Sequence, residues 1–161
     1  MKLRNMTSVY LVREGEILCL YRMGSRVANN RYIGSAGGHF EPGELNDPKA
    51  CVLREMEEEL GLAASDVEGL TLRYITLRRK DGEIRQNYYF FARLKEEPVL
   101  RSTEGILRWV RFEDVALLPM PVSAKHMLRH YLNQGRFCDT LYAGITRENE
   151  TSFVPMEEFE G

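Results

Sequence analysis

A chain of 161 residues, 43% hydrophobic and 29% charged, carries enough apolar material for one domain with a full core and is not polar enough to stay disordered. Its net charge of −2 excludes recognition through a broad basic surface, so neither a nucleic-acid polymer nor an anionic membrane is an expected partner. Cys19, Cys51 and Cys138 are odd in number, widely spaced and lack a C-x-x-C pair, which argues for reduced thiols in a cytoplasmic protein. No apolar run reaches the length of a membrane span, and the segment Met1-Lys2-Leu3-Arg4 leads into no signal-peptide core.

In chain order, residues 6–12 and 16–22 are β-rich runs around Arg13-Glu14-Gly15, a hairpin pattern. Residues 24–30 read as a loop, and residues 31–40 lead to the glycine pair Gly37-Gly38, where the main chain can approach a neighbour closely. Asp47 as N-cap, Pro48 at the first helical position and Gly61 at the end predict a helix over 48–60, with a stripe of Cys51, Val52, Met56 and Leu60 for burial. A polar connection over 63–69 precedes strands at 70–79 and 84–94, joined through an Asp81-Gly82 turn. Arg78, Arg79 and Lys80 read as solvated edge charge, and Tyr88 to Phe91 as core more than as a stacking platform.

The strand ILRWVRF over 106–112 follows Glu104. A second helix over 123–133, closed by Gly135, offers Met127, Leu128, Tyr131 and Leu132 to the sheet. His126 and His130 have zinc-compatible spacing, but no third ligand accompanies them. Residues 137–154 read as a last hairpin, followed by the acidic tail Glu157-Glu158-Phe159-Glu160. Strands, helix, strands, helix and strands in that order predict an α/β (α+β) domain spanning 1–161, a mixed β-sheet with helices on its outer faces.

The first helix carries the chemistry. Glu55, Glu58 and Glu59 fall at i, i+3 and i+4, so three carboxylates share one face and repel each other. A solvated acidic face is the plain reading. A divalent cation is the sharper one, because carboxylate oxygens are hard ligands suited to Mg2+ or Mn2+. The glycine loop before the helix and Arg54 within it favour the cation.

These residues resemble the Nudix box, G-x5-E-x7-R-E-U-x-E-E-x-G-U, where U is a bulky aliphatic residue. Gly38 and Glu44 match its first half, and Arg54, Glu55, Met56, Glu58, Glu59, Gly61 and Leu62 match its second. Nine residues separate Glu44 from Arg54 where the pattern has seven. The cap Asp47 stands seven residues before Arg54, which places the extra pair at Leu45-Asn46, in the loop. The insertion leaves the helix intact and puts the Glu44–Arg54 contact in question.

The resemblance implies an α/β/α sandwich and metal-dependent hydrolysis of a nucleoside diphosphate linked to another group, a small-molecule substrate. It implies Mg2+ or Mn2+ on Glu55, Glu58, Glu59, the Gly38 carbonyl and Glu104. The catalytic set would be Glu55, Glu58 and Arg54, with Glu55 as ligand or general base and Arg54 orienting the carboxylates. Glu104 reads equally as a plain loop glutamate. Arg22 would face substrate phosphates or simply end its strand, and His39 would touch phosphate or stand as a half-exposed polar residue. Glu104 before Trp109 and the corner Leu118-Pro119-Met120-Pro121 look like the 8-oxo-dGTP diphosphatase type, whose products are a nucleoside monophosphate and pyrophosphate. ADP-ribose or a nucleotide sugar is the alternative substrate, and a nucleotide sensor without turnover is the non-enzymatic one. A homodimer is left open.

Overall fold

The computed structural model describes residues 1–23 and 30–161. Residues 24–29, most of the loop expected at 24–30, lie outside the described residues. The expected first hairpin is β1 (Lys2–Arg13) and β2 (Glu16–Arg22), with Leu11 opposite Leu18 and Gly15 at φ +70° in the turn. Next come β3 (Arg31–Ile33), β4 (Ala36–His39) and α1 (Pro48–Leu60), the last with the predicted ends. Asp47 accepts the Ala50 N–H at 3.0 Å, and Gly61 closes the helix in the left-handed region at φ 67°.

The second hairpin is β5 (Val67–Lys80) and β6 (Glu83–Leu94), turning through Asp81 and Gly82, both at positive φ. Then follow β7 (Gly105–Arg111), α2 (Val122–Asn133), β8 (Leu141–Thr146) and β9 (Thr151–Met156).

Among the described residues these strands form one nine-stranded mixed sheet in the order β3-β2-β1-β6-β5-β8-β9, with β4 added to β1 and β7 to β2. Several element boundaries differ from the sequence reading. The segment 63–69 is not all connection, because β5 starts at Val67 and absorbs Gly69, at φ +64°, in a bulged stretch. The strand read to Phe112 stops at Arg111, where a 3-10 turn over Phe112–Leu117 begins. β1 also begins earlier than expected. Its parallel pairing with β6, from Lys2 with Glu83 to Leu11 with Ala92, extends it, and no local pattern announces such a partner.

Both sheet faces are covered, which is why β1 and β6 are apolar at consecutive positions. Val9 and Leu11 with Phe90 and Ala92 pack under Val52, Met56 and Leu60 of α1. Tyr10 and Val12 with Tyr89 and Phe91 point the other way, against Met127, Leu128 and Tyr131 of α2. Two helices on opposite faces of a mixed sheet make the expected sandwich. Cys19 and Cys51 are fully buried core thiols. His126 bonds Thr151 Oγ1 at 2.9 Å and His130 bonds the Tyr74 hydroxyl at 2.8 Å, so the two histidines serve packing. Among the described residues no helix is long and apolar enough to cross a membrane.

Candidate active site

The site grows from the contact of β4 with α1. Gly38 pairs with Thr7 of β1 and lies against Glu55, where a methyl group would overlap the carboxylate. A methyl on Gly37 would overlap the Thr7 carbonyl. Gly37 is therefore required by close approach of main chain, while at Gly38 the Glu55 carboxylate occupies the place a side chain would take. Cys51 anchors the same contact from below, with its sulfur 3.2 Å from Thr7 Oγ1.

Arg54 is the hub. Its Nε and Nη2 donate to both oxygens of Glu44, at 2.7 and 3.0 Å, and Nη2 also reaches the His39 carbonyl at 3.1 Å. Nη1 donates to Glu55 Oε1 and to Glu58 Oε2, each at 3.0 Å. The contact that the insertion put in question is thus present and bidentate. Leu45 and Asn46 bulge outward, Leu45 being 60% exposed, while the 3-10 turn Pro42–Glu44 holds the Glu44 carboxylate inward on the Glu41 N–H at 2.9 Å. The Arg54 hydrogen bonds pull the Glu44 pKa down to about 2, and the same bonds hold Arg54 protonated.

The carboxylates deeper in the site behave oppositely. Burial pushes Glu59 up to about 7, against the stabilising Gly37 N–H at 3.1 Å, and the charges of Glu55 and Glu104 add to the rise. Burial also raises Glu55, offset in part by Arg54. Glu58 is more than half exposed and reaches only toward Arg54. Glu104, just before β7, accepts from Arg22 Nη2 at 3.2 Å, and the buried Arg22 Nε has no hydrogen-bond partner among the described residues.

The structure therefore brings Gly38, Arg54, Glu55, Glu58 and Glu59 together, with the Arg22–Glu104 pair along one side. The His39 main chain joins them, but its imidazole does not. His39 pairs with Met6, on the pleat opposite Gly38, and burial and the Arg4 charge lower its pKa, with Glu83 opposing them. Sequence reasoning missed the Gly37 N–H as the donor to Glu59 and Thr7 as the partner of Cys51. The doubled glycine was the available signal for the first, and the second depends on a strand pairing.

Among the described residues no three acidic, histidine or cysteine side chains already stand at metal-holding distances, because each carboxylate is engaged by Arg54, Arg22 or Gly37. The donor chemistry nonetheless fits a hard divalent cation. Glu55 and Glu59 are half-buried and burial raises the pKa of both, so the two carboxylates stand together with less solvation than an exposed pair, a lack of counter-charge that a cation would make good.

Residues 2–131 match the model of the NUDIX domain, so the chain belongs to the Nudix family, whose members hydrolyse pyrophosphate bonds. Among solved structures, it is similar to a MutT protein of Bacillus halodurans, with 26% identity over 94% of this chain and 97% of that one, at TM-score 0.64. A MutT NUDIX hydrolase of Burkholderia pseudomallei is also 26% identical, over 83% and 98% of the two chains, at TM-score 0.63. An Ap4A hydrolase of C. elegans, 17% identical over 81% and 95%, shares the fold at TM-score 0.63.

Proposed function

We propose that this chain hydrolyses the pyrophosphate linkage of a purine nucleoside triphosphate, oxidised forms included, to a nucleoside monophosphate and pyrophosphate, with Mg2+ or Mn2+ as cofactor. The observation that carries the reading is the Arg54 hub, which fixes Glu44, Glu55 and Glu58 around one guanidinium beside the half-buried Glu59. Glu55, Glu58, Glu59, Glu104 and the Gly38 carbonyl would hold the cation, which supplies charge neutralisation of the phosphates and acidification of water.

The chain's own groups do the rest. Glu55, half-buried and raised in pKa, would act as the general base taking a proton from the attacking water, or else as one of the cation's ligands. Arg54 positions it. Arg22 has a buried Nε that finds no partner among the described residues, and a phosphate oxygen would satisfy it. His39 takes part through its carbonyl, which holds Arg54. The purine preference rests on Glu104 before Trp109 and the Leu118–Pro121 corner, residues that resemble the 8-oxo-dGTP diphosphatase type. We take residues 1–161 as a single Nudix domain acting in the cytoplasm on a small molecule.

The test is chromatographic product analysis with Mg2+, using 8-oxo-dGTP, ordinary dNTPs, ADP-ribose and a dinucleoside polyphosphate, beside Glu58→Gln. Pyrophosphate release from a purine triphosphate, reduced at least about a hundredfold by the substitution, is the expected result. Turnover of ADP-ribose alone would move the substrate to a nucleotide sugar. Tight binding without turnover of any member would make the protein a sensor.

A further inference from the structure

Arginines stand side by side across three strands of the sheet, Arg4 of β1 pairing with Arg85 of β6 and Arg85 with Arg78 of β5. Strand alternation from Tyr10, Tyr89 and Tyr74, which belong to the core under α2, puts the whole row on the α2 face. The next α2-facing row sets Lys2 and Lys80 on either side of Glu83. Like charges directly opposite each other destabilise a sheet, so the arginine row calls for counter-charge.

The carboxylates at this end of the sheet do not supply it to Arg78. Glu83 is engaged by Arg4 Nη2 at 2.8 Å and by Arg85 Nε at 3.3 Å. In the turn between β8 and β9, Arg147 holds Glu150 at 2.6 Å, and Glu148 is exposed. Asp81 is exposed in the turn between β5 and β6. Burial, and after it the Arg85 charge, lower the Arg78 pKa against weaker support from Tyr89 and Asp81. Among the described residues Arg78 is in no ion pair, and its buried Nε has no hydrogen-bond partner. One row behind it Thr76 is 1% exposed, and its hydroxyl, next to that of Tyr89, also lacks a partner there.

The first turn of α2 lies over the same end. His126 bonds Thr151, Thr151 bonds Thr146, and the register that pairs Leu77 with Ile145 sets Thr146 next to Arg78. Ser123, one turn before His126, is 3% exposed with its hydroxyl again unpartnered among the described residues. The helix has no side-chain cap and no acidic residue, so its positive end is left for an anion. Donors thus come from two adjacent strands, from the row behind and from a helix end. One arginine fork matches a planar carboxylate, whereas a tetrahedral phosphoryl group accepts from several sides.

We propose that Arg78 and Arg85 bind a phosphoryl group on the α2 face, at the first turn of α2. The carboxylates of α1 lie on the other face, where Thr7 packs on Cys51 and pairs with Gly38. The site is therefore separate from the one proposed for hydrolysis and does not rest on that reading. Its phosphoryl group comes either from free phosphate or from the phosphate of a nucleotide.

Nitrogen-15 NMR of the arginine Nε–H groups tests this on the full chain. No divalent metal is added, so that phosphate is not drawn to the α1 carboxylates. Sodium phosphate, replacing sodium chloride at constant ionic strength, should move the Arg78 signal saturably, and Arg78→Lys assigns that signal. In calorimetry Arg78→Gln should weaken phosphate binding at least about tenfold, and Arg22→Gln should leave it unchanged. If Arg78→Gln does not fold, Arg85→Gln takes its place with the same expected loss. Saturation by a nucleoside monophosphate at lower concentration than by orthophosphate marks a nucleotide as the source, and the reverse order marks the free ion. An Arg78 signal that answers phosphate no more than chloride overturns the site. Binding lost with Arg22→Gln but kept with Arg78→Gln overturns it equally.

Discussion

Arg54 and Glu44 show how one pair of side chains sets the geometry of a site. A lysine could not serve in place of Arg54, since only a planar fork can hold both Glu44 oxygens while its third nitrogen reaches Glu55 and Glu58. The pairing has a pH signature. Glu44 is lowered from 4.5 to about 2, so its stabilisation is fully present above pH 4.5 and is lost as pH falls through about 2. In urea unfolding, the stability gap between wild type and Glu44→Gln should be constant above pH 4.5 and close between there and pH 2. A gap that is the same across that window would show that the carboxylate charge contributes nothing. Arg54, Glu55, Glu58 and Glu59 were legible in the sequence, since helical spacing alone puts them on one side. The Glu44 contact was not, because two inserted residues in a loop leave the path of the chain undetermined until Pro42–Glu44 is seen to turn.

The box helix was readable to the residue because its signals are local. Asp47 caps it, Pro48 opens it and Gly61 ends it. The same clarity did not extend to β4, a short strand whose reason for existing is its neighbours on β1 and α1. Nothing in the residues themselves turns the His39 imidazole away from the carboxylates. That follows from its pairing with Met6, a long-range register. The close approach of β4 to α1 gives a direct prediction. Gly38→Ala must displace the Glu55 carboxylate, and a displacement of about 1 Å at the carboxylate proposed as the base is worth about a hundredfold in rate. Steady-state assays should show kcat falling by that order while the unfolding midpoint shifts modestly. Unchanged kcat would mean that the Glu55 position is not critical.

At the scale of the molecule, the sandwich was expected and found, but the weight carried by the last hairpin was not. β8 and β9 are tied in by Arg73, which donates to the carbonyls of Gly135, Cys138 and Thr140, and by the Tyr74–His130 pair packed on Tyr142 and Phe153. Arg73 is 8% exposed, a buried charge satisfied by main chain. Its role could not be read from a strand sequence, where one arginine among Leu72, Tyr74 and Ile75 looks like an outward residue. Arg73→Met should cost about 3 kcal/mol in urea unfolding, through carbonyls left without donors, and make the hairpin the first segment cut by limited proteolysis. Cleavage beginning elsewhere, with stability unchanged, would refute that role.

The parallel pairing of β1 with β6 also governs when the site comes into being. Arg4 and Glu83, joined at 2.8 Å, lie 79 residues apart in the chain, and the apolar floor under α1 lacks Phe90 and Ala92 until that long closure is made. A ribosome-bound chain can wind the box helix as soon as Leu60 has emerged, yet the sheet face on which it packs is complete only when β6 follows. The firm seating of the box helix is therefore a late event in this fold, and an incomplete chain exposes an acidic helix without its full apolar floor.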